Sequence, residues 1–329
     1  MRTNAYKQYR NKLNWLLRQS ERDYIAKLFE THKGNLRKTW DIIKQVINKK
    51  SQKSCPEYFI INGKEIQSDS HIANAFNDYF INVGPQLSKS IPPTTQSPVS
   101  YIKSRNINTI FLKPVVEEEV TNIIKHLKES SAGWDDVTPT LVKTFCTSFI
   151  KPLTHVLNLS ITTGIFPNEL KIAKVIPLFK KGDRSMLSNY RPVSVLCVFS
   201  KILEKLMNSR VIDFINKHKL LYINQFGFRK KHSTSLALTI LVDRILESLD
   251  ENKMTLGVFL DFSKAFDTVD HHILLQKLDA YGIRGLAHSW FKSYLSNRSQ
   301  FVCYNDVSSE SKVITTGVPQ GSVLGPLLF

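Results

Sequence analysis

Apolar positions recur with helical spacing over the first thirty residues of the chain, then give way to a mixture of helical and strand-like stretches. Over residues 5–30, Leu13, Leu17, Tyr24 and Leu28 fall near a 3.6-residue repeat with Leu16 and Ile25 beside them, which predicts an amphipathic helix. Gly34 and Asn35 break it. A second helix is expected with Trp40, Ile43 and Ile47 on one face, running into a polar, basic tail at residues 48–54. Residues 56–67 predict a short hairpin turning at Asn62-Gly63. Asp69 or Ser70 can cap a helix carrying Ile72, Phe76, Phe80 and Val83, which Gly84-Pro85 is expected to end. Residues 86–108 are rich in Ser, Pro and Thr and read as a linker.

After Pro114, residues 115–127 predict a helix with three Glu in its first turn, where the helix dipole favours anions. A longer apolar helix is expected over 140–163, stopped by Gly164 and Pro167, and a buried strand over 173–179. Residues 198–218 and 233–251 read as helices with apolar faces. TLGVFLDF, residues 255–262, is a short apolar run ending in an acid, the pattern of a central strand that delivers a carboxylate to a sheet edge. Helices at about 271–280 and 285–296, a hairpin of 299–304 with 311–316, and the Gly-Pro-rich GVPQGSVLGP complete the pattern. Helices mixed with antiparallel strands, without a regular βαβ period, indicate an α+β fold.

Charge narrows the function. The 329 residues hold 45 Lys or Arg against 28 Asp or Glu, a net of +17. So basic a chain points to a polyanionic partner, nucleic acid first and an acidic membrane surface second. Residues 1–53 alone carry 14 Lys or Arg against 4 acids and behave as a basic arm, with Arg10, Lys12, Arg18, Arg37 and Lys38 as candidate contacts to a nucleic-acid backbone. A hydrophobic content of 42% excludes wholesale disorder. Cys55, Cys146, Cys197 and Cys303 form no C-x-x-C pair and read as reduced cysteines of an intracellular protein. No apolar run reaches the ~18–20 residues of a membrane helix, and the first residues lack the apolar stretch of a secretory signal. The expectation is an intracellular protein of nucleus or cytoplasm, neither secreted nor membrane-bound.

The sharpest chemical feature is LDFSKAFDTVDH, residues 260–271, with Asp261 at the expected strand end and Asp267 and Asp270 following. Nucleotidyl transfer uses carboxylates to hold two divalent cations roughly 4 Å apart, and Mg²⁺ takes oxygen ligands. A lone Asp is more often an N-cap or a turn acid, but the flanking pattern here is long and particular. It resembles motif A of reverse transcriptases. That resemblance implies Asp261 as the catalytic, metal-binding residue, with the backbone carbonyl of Phe262 as a further ligand. It implies that the amides of Lys264 and Ala265 cradle a triphosphate, and that Phe266 packs under the sugar and excludes a 2′-hydroxyl. Asp267 is assigned a structural role. Downstream, GVPQGSVLGPLLF, residues 317–329, resembles motif B, in which Gly317 and Gly321 let backbone approach the nucleotide and Gln320 faces it.

Upstream blocks extend the likeness. SSAGWDDVTP, residues 130–139, resembles the S-x-G-x-D-G-I-P block that opens this class of domain, with Asp136 where Gly is usual. Residues 172–196 resemble the fingers segment of the non-LTR elements. Six Lys or Arg lie between 171 and 191 against one acid, Asp183, and Lys174, Lys180 and Arg191 are candidates to touch triphosphate or template. QFGFRKKHST, residues 225–234, resembles the block Q-x-G-F-R-x-x-x-S-T. It offers Arg229 as a nucleotide or template contact, Lys230 and Lys231 as nucleic-acid contacts, and Phe226 and Phe228 as packing or stacking rings.

The resemblance runs from about 114 to 329 and is to reverse transcriptases of non-LTR, jockey-like retrotransposons. It implies right-hand polymerase fingers and a partial palm over 114–329, preceded by the arm at 1–53 and a small hairpin, helix and linker segment at 54–113. The implied partners are an RNA template, a DNA primer or target, and dNTPs, with two Mg²⁺ ions as cofactor. The family also carries an aromatic-x-Asp-Asp hairpin after motif B. The one adjacent Asp pair in these residues, Asp135-Asp136, precedes motif A. A polypeptide of these residues alone is therefore expected to be inactive, and the alternative role is that of a non-catalytic nucleic-acid-binding remnant.

Overall fold

The computed structural model describes residues 2–35, 38–40, 42–43, 56, 58–61, 63–92, 95–102 and 105–329. The chain divides into two compact units, Met1–Glu57 and Tyr58–Phe329.

The first unit holds helix α1 (Arg2–Thr31), followed by Gly34 at φ +91°. None of the described side chains of α1 is buried, and Leu13, Leu16, Leu17 and Tyr24 of its apolar repeat are exposed. Residues 38–40 and 42–43 are helical, with Ile42 buried and Trp40 exposed. The rest of the expected second helix, including Arg37 and Ile47, lies outside the described residues.

The second unit opens with β1 (Phe59–Ile61) and β2 (Lys64–Ile66), an antiparallel hairpin whose turn contains Gly63 at φ +77°. Helix α2 (Asp69–Lys89) follows and does not end at Gly84-Pro85; Pro85 lies inside it. A proline inside a helix forfeits one backbone bond, and here tertiary packing at Gly84 holds the helix through that position. Next come α3 (Glu117–Lys125), α4 (Pro139–Thr144) and α5 (Cys146–Thr163). The single helix expected over 140–163 is thus two, divided at Phe145, whose φ −101° and ψ 11° fall in the bridge region. Thr138 caps α4 by accepting from the Leu141 amide at 3.3 Å, with Pro139 in the first turn. Gly164 ends α5 at φ +69°.

Strands β3 (Ile172–Phe179) and β4 (Tyr190–Leu196) lead to α6 (Val198–Lys217), α7 (Thr234–Asp250), α8 (His271–Ala280) and α9 (Leu286–Leu295). The chain continues as β5 (Arg298–Tyr304), β6 (Val307–Ser308), β7 (Lys312–Ile314) and the short α10 (Gly325–Leu328). The main sheet runs β4-β3-β5-β6, with β7 also on β5. β3 is antiparallel to β4, from Ala173 opposite Leu196 to Phe179 opposite Tyr190, and parallel to β5, with Ile172 opposite Ser299. The architecture is a mixed helix and strand fold of the α+β class.

Two cores hold it. On one face of the sheet, Phe59, Phe76, Tyr190 and Tyr304 form an aromatic cluster, with Phe59 edge-on to Phe76 at 5.1 Å. Asn77 ties α2 to this sheet: its amide nitrogen donates to the Glu310 carbonyl at 2.8 Å, and its carbonyl accepts from Gln300 at 3.0 Å. The second core lies among α3, α5, α6 and α9 and includes Ile124, Leu157, Leu206, Trp290 and Tyr294. Arg210 of α6 clamps α3 through a forked pair to Glu119 at 2.9 and 3.0 Å.

One expected strand is not there. Residues 253–262 form neither strand nor helix, and Leu256, Val258, Phe259 and Leu260 are 74–89% exposed. A strand needs a neighbour for its N–H and C=O groups, and among the described residues the sheet is built from other segments. The adjoining α7 is a helix as expected, yet none of its side chains is buried, leaving Leu238, Val242, Leu246 and Leu249 open to solvent. Among the described residues no helix is long and apolar enough to cross a membrane.

Candidate nucleotide site

Three segments meet at one place: the turn 264–270, the loop 317–321 and strand β4. Lys264 takes a left-handed conformation at φ +52°, and its carbonyl accepts from the amides of Asp267 at 2.8 Å and Thr268 at 3.2 Å, closing the turn. The loop is laced to that turn. The Gly317 amide donates to the Val269 carbonyl and the Val318 amide to the Phe266 carbonyl, both at 2.8 Å, and His271 Nε2 donates to the Gly317 carbonyl at 2.7 Å. A Cβ on Gly317 would lie 2.9 Å from the Asp267 Cα, and φ there is +83°, so only glycine permits this approach. On the other side, the Ser194 amide of β4 donates to the Gln320 carbonyl at 2.8 Å, and a Cβ on Gly321 would lie 2.4 Å from the Ser194 carbonyl.

At the centre, Gln320 Nε2 donates to both carboxylate oxygens of Asp267, at 2.8 and 2.9 Å. Burial pushes the Asp267 pKa up, while the Gln320 bond and nearby Lys264 oppose that shift. Asp267 therefore holds Gln320 in place. The small, partly open cavity that this pair lines together with Phe80, Pro192, Arg298 and Thr316 among others is about 40 Å³, room for water rather than a nucleotide. The open side of the site is cationic. Burial lowers the Lys264 pKa, with Lys180 and Arg191 acting in the same direction and Asp267 against it, so these four charges share one neighbourhood. Lys180 and Arg191 are exposed. Lys174 is half-buried in mid-strand, opposite Val195, on the face that Leu178 shares with its partner Arg191.

Helix α2 forms a wall that the sequence reading missed. The Lys264 ammonium lies 5.5 Å from the Tyr79 ring centre. A Cβ on Gly84 would come within 2.3 Å of the Asp267 carbonyl. The available signal was a Gly-Pro pair that failed to interrupt an apolar helical repeat.

The other expected residues lie as follows. Asp261 and Phe262 are exposed, at the end of the strandless segment. Among the described residues no three His, Cys, Asp or Glu side chains come together as a metal-binding group, so Asp261 and the Phe262 carbonyl do not make a Mg²⁺ site by themselves. Ala265 is half-buried in the turn, and Phe266 packs against Phe329 at 5.1 Å and edge-on to Phe228 at 6.2 Å. Asp270 caps α8, accepting from the Ile273 amide at 2.9 Å. Arg229 folds back on its own loop, donating to the Tyr222 and Gln225 carbonyls at 3.2 Å each. Lys230 and Lys231 beside it are exposed. In the first unit, Arg10, Lys12, Arg18 and Lys38 are exposed.

Comparison with known proteins supplies the family. The model of the reverse transcriptase (RNA-dependent DNA polymerase) family matches residues 179–329. The chain is 34% identical over 226 residues to the probable RNA-directed DNA polymerase from transposon BS of Drosophila melanogaster, covering 66% of this chain and 24% of that protein. It is 33% identical over 231 residues to the RNA-directed DNA polymerase from mobile element jockey of the same fly, covering 70% and 25%. With the probable RNA-directed DNA polymerase from its transposon X-element the identity is 32% over 209 residues, covering 63% and 23%. The chain spans about a quarter of the length of these relatives. The turn and the loop described above fall inside the matched residues, and the chain belongs to the reverse transcriptases, an enzyme family of RNA-directed DNA polymerases, of LINE-like non-LTR retrotransposons.

Proposed function

We propose that this chain supplies the fingers and part of the palm of a polymerase that copies an RNA template from a DNA primer by joining dNTPs. The observation that carries the reading is the gathering of Lys180, Arg191 and Lys264 beside the Asp267–Gln320 pair. Three cations at the mouth of a turn suit a triphosphate, whose charge they offset as it is transferred. Both oxygens of Asp267 gather around the Gln320 amide nitrogen and share one of its N–H groups, which leaves the other N–H and the carbonyl of Gln320 to meet a base or sugar. Phe266 beneath the turn is the ring that rejects a 2′-hydroxyl. In this reading residues 1–53 are an arm whose exposed cations hold template phosphates, a contact that rising salt weakens. Residues 54–113 precede the polymerase domain proper, which is 114–329.

The family uses divalent metal ions. Asp261 and the Phe262 carbonyl are this chain's share of a two-Mg²⁺ site, and the remaining ligands are not found among the described residues.

Titration of the chain with a fluorescent dNTP tests the site. K180A and K264A are each expected to weaken binding about tenfold, the loss of one charge-assisted hydrogen bond to phosphate. Affinities within twofold of wild type for both would refute the assignment. In a primer-extension assay on an RNA template with Mg²⁺, a polypeptide of these 329 residues is expected to give no product, and extension above a no-protein control would overturn that expectation.

A further inference from the structure

Glu204 is a buried carboxylate with no part in the site as described so far. It lies on α6 and is 0% exposed, a costly place for an acid unless its oxygens are well supplied with donors. The donors come from the segment just beyond Gln320. Glu204 Oε2 accepts from the amide of Val323 at 2.6 Å and from that of Leu324 at 3.2 Å, while Ser200 Oγ donates to Oε1 at 3.1 Å. Arg298, 1% exposed, is the nearby cation, packed 4.7 Å over the Tyr294 ring. Burial raises the Glu204 pKa, and Arg298 and the two amides oppose the rise.

The loop carrying Gln320 is therefore held at two ends. Before Gln320, Gly317 and Val318 bond to the turn 264–270; at Gln320 itself, the backbone bonds to Ser194. After it, Ser322 Oγ donates to the Pro319 carbonyl and accepts from the Gly325 amide, both at 2.9 Å, which tightens the loop internally. Nothing in that inner set anchors the far end to the helical core. The two amide bonds to Glu204 do.

We infer that Glu204 is a positioning residue: from within the helical core it fixes the far end of the 317–324 loop and so sets where Gln320 stands relative to Asp267. Its effect on nucleotide binding rests on the reading of Gln320 given above; its effect on the loop does not.

Hydrogen exchange and fluorescent dNTP titration on the whole chain, made in parallel on three variants, test this. E204Q keeps an acceptor oxygen at the same reach. E204D draws the carboxylate back by one methylene, and E204L removes it. Exchange of amides 318–325 is expected to accelerate at least tenfold in E204D and E204L, with strands β3 and β4 unchanged, and E204Q is expected to restore slow exchange. dNTP affinity should fall at least fivefold in the first two variants and follow the exchange in E204Q. Should E204L fail to fold, the contrast of Asp with Gln still decides. Wild-type exchange in E204D overturns the inference, as does fast loop exchange with unchanged dNTP affinity. A wild-type chain that binds no dNTP at all defeats the nucleotide reading instead, and the exchange data then judge Glu204 alone.

Discussion

Replacing Trp290 by alanine is expected to lower the stability of the second unit by about 4 kcal/mol. Trp290 is 0% exposed. Its ring stacks on Tyr294 with centroids 5.6 Å apart and planes 4° from parallel, and meets Phe166 edge-on at 5.3 Å. Its Nε1–H donates to Ser160 Oγ at 3.1 Å. The substitution therefore opens a large cavity and removes one of the two hydrogen bonds of Ser160 on α5, whose hydroxyl still donates to the Ile165 carbonyl at 2.6 Å. Domains of this size are stable by roughly 5–15 kcal/mol, so the variant sits near the threshold for folding. Urea unfolding followed by circular dichroism measures it, and a loss under about 1.5 kcal/mol would show that the helical core is looser than its packing implies.

Gly84→Ala is expected to destabilise the chain by about 1–3 kcal/mol and to disturb the candidate nucleotide site. On propensity alone the change should help, since alanine favours a helix interior over glycine by about 1 kcal/mol. Contact decides the sign. The new methyl would lie 2.3 Å from the Asp267 carbonyl and 2.5 Å from Thr316 Oγ1, and the first of these is backbone that cannot swing aside. The turn 264–270 must shift, carrying Asp267 away from Gln320. Gln86→Ala, at an exposed position of the same helix, serves as the control and should be near neutral. If G84A melts at or above the wild-type temperature and binds dNTP as tightly, α2 is not the wall it is taken to be.

Gly84 also illustrates what the amino-acid sequence did and did not disclose. The apolar repeat located α2, and Gly84-Pro85 read as its stop signal, because local chemistry alone favours that. The helix runs on because Gly84 is pressed against the turn that holds Asp267, a contact only the folded chain supplies. Strand β4 was legible as a basic segment but not as a strand, since Pro192 argues against one. In the structure Pro192 lies opposite Pro177, and two prolines can face each other where the ladder makes no N–H···O bonds. TLGVFLDF shows the reverse error. Its apolar run reports a wish to be buried but not which residues would cover it, and here none of the described ones does. In the candidate site, the turn and the loop were legible as motifs because their residues are neighbours in sequence. Tyr79 and Glu204 were not, because each reaches the site across the fold and carries no local mark, and the local mark of Gly84, its Gly-Pro pair, pointed to a helix stop instead.

The parallel pairing of β3 with β5 has a kinetic consequence. Its strands come from distant parts of the chain, and the clamp between Asn77 and Gln300 joins residues 223 positions apart. Such contacts bring little enthalpy until a long loop has been closed, and topologies rich in them fold slowly. The helices are mostly local and can form early, whereas the sheet must wait for residues 298–314 to emerge and dock. During synthesis, then, the surface that gathers Lys180, Arg191 and Lys264 takes shape only after residues 298–321 have left the ribosome.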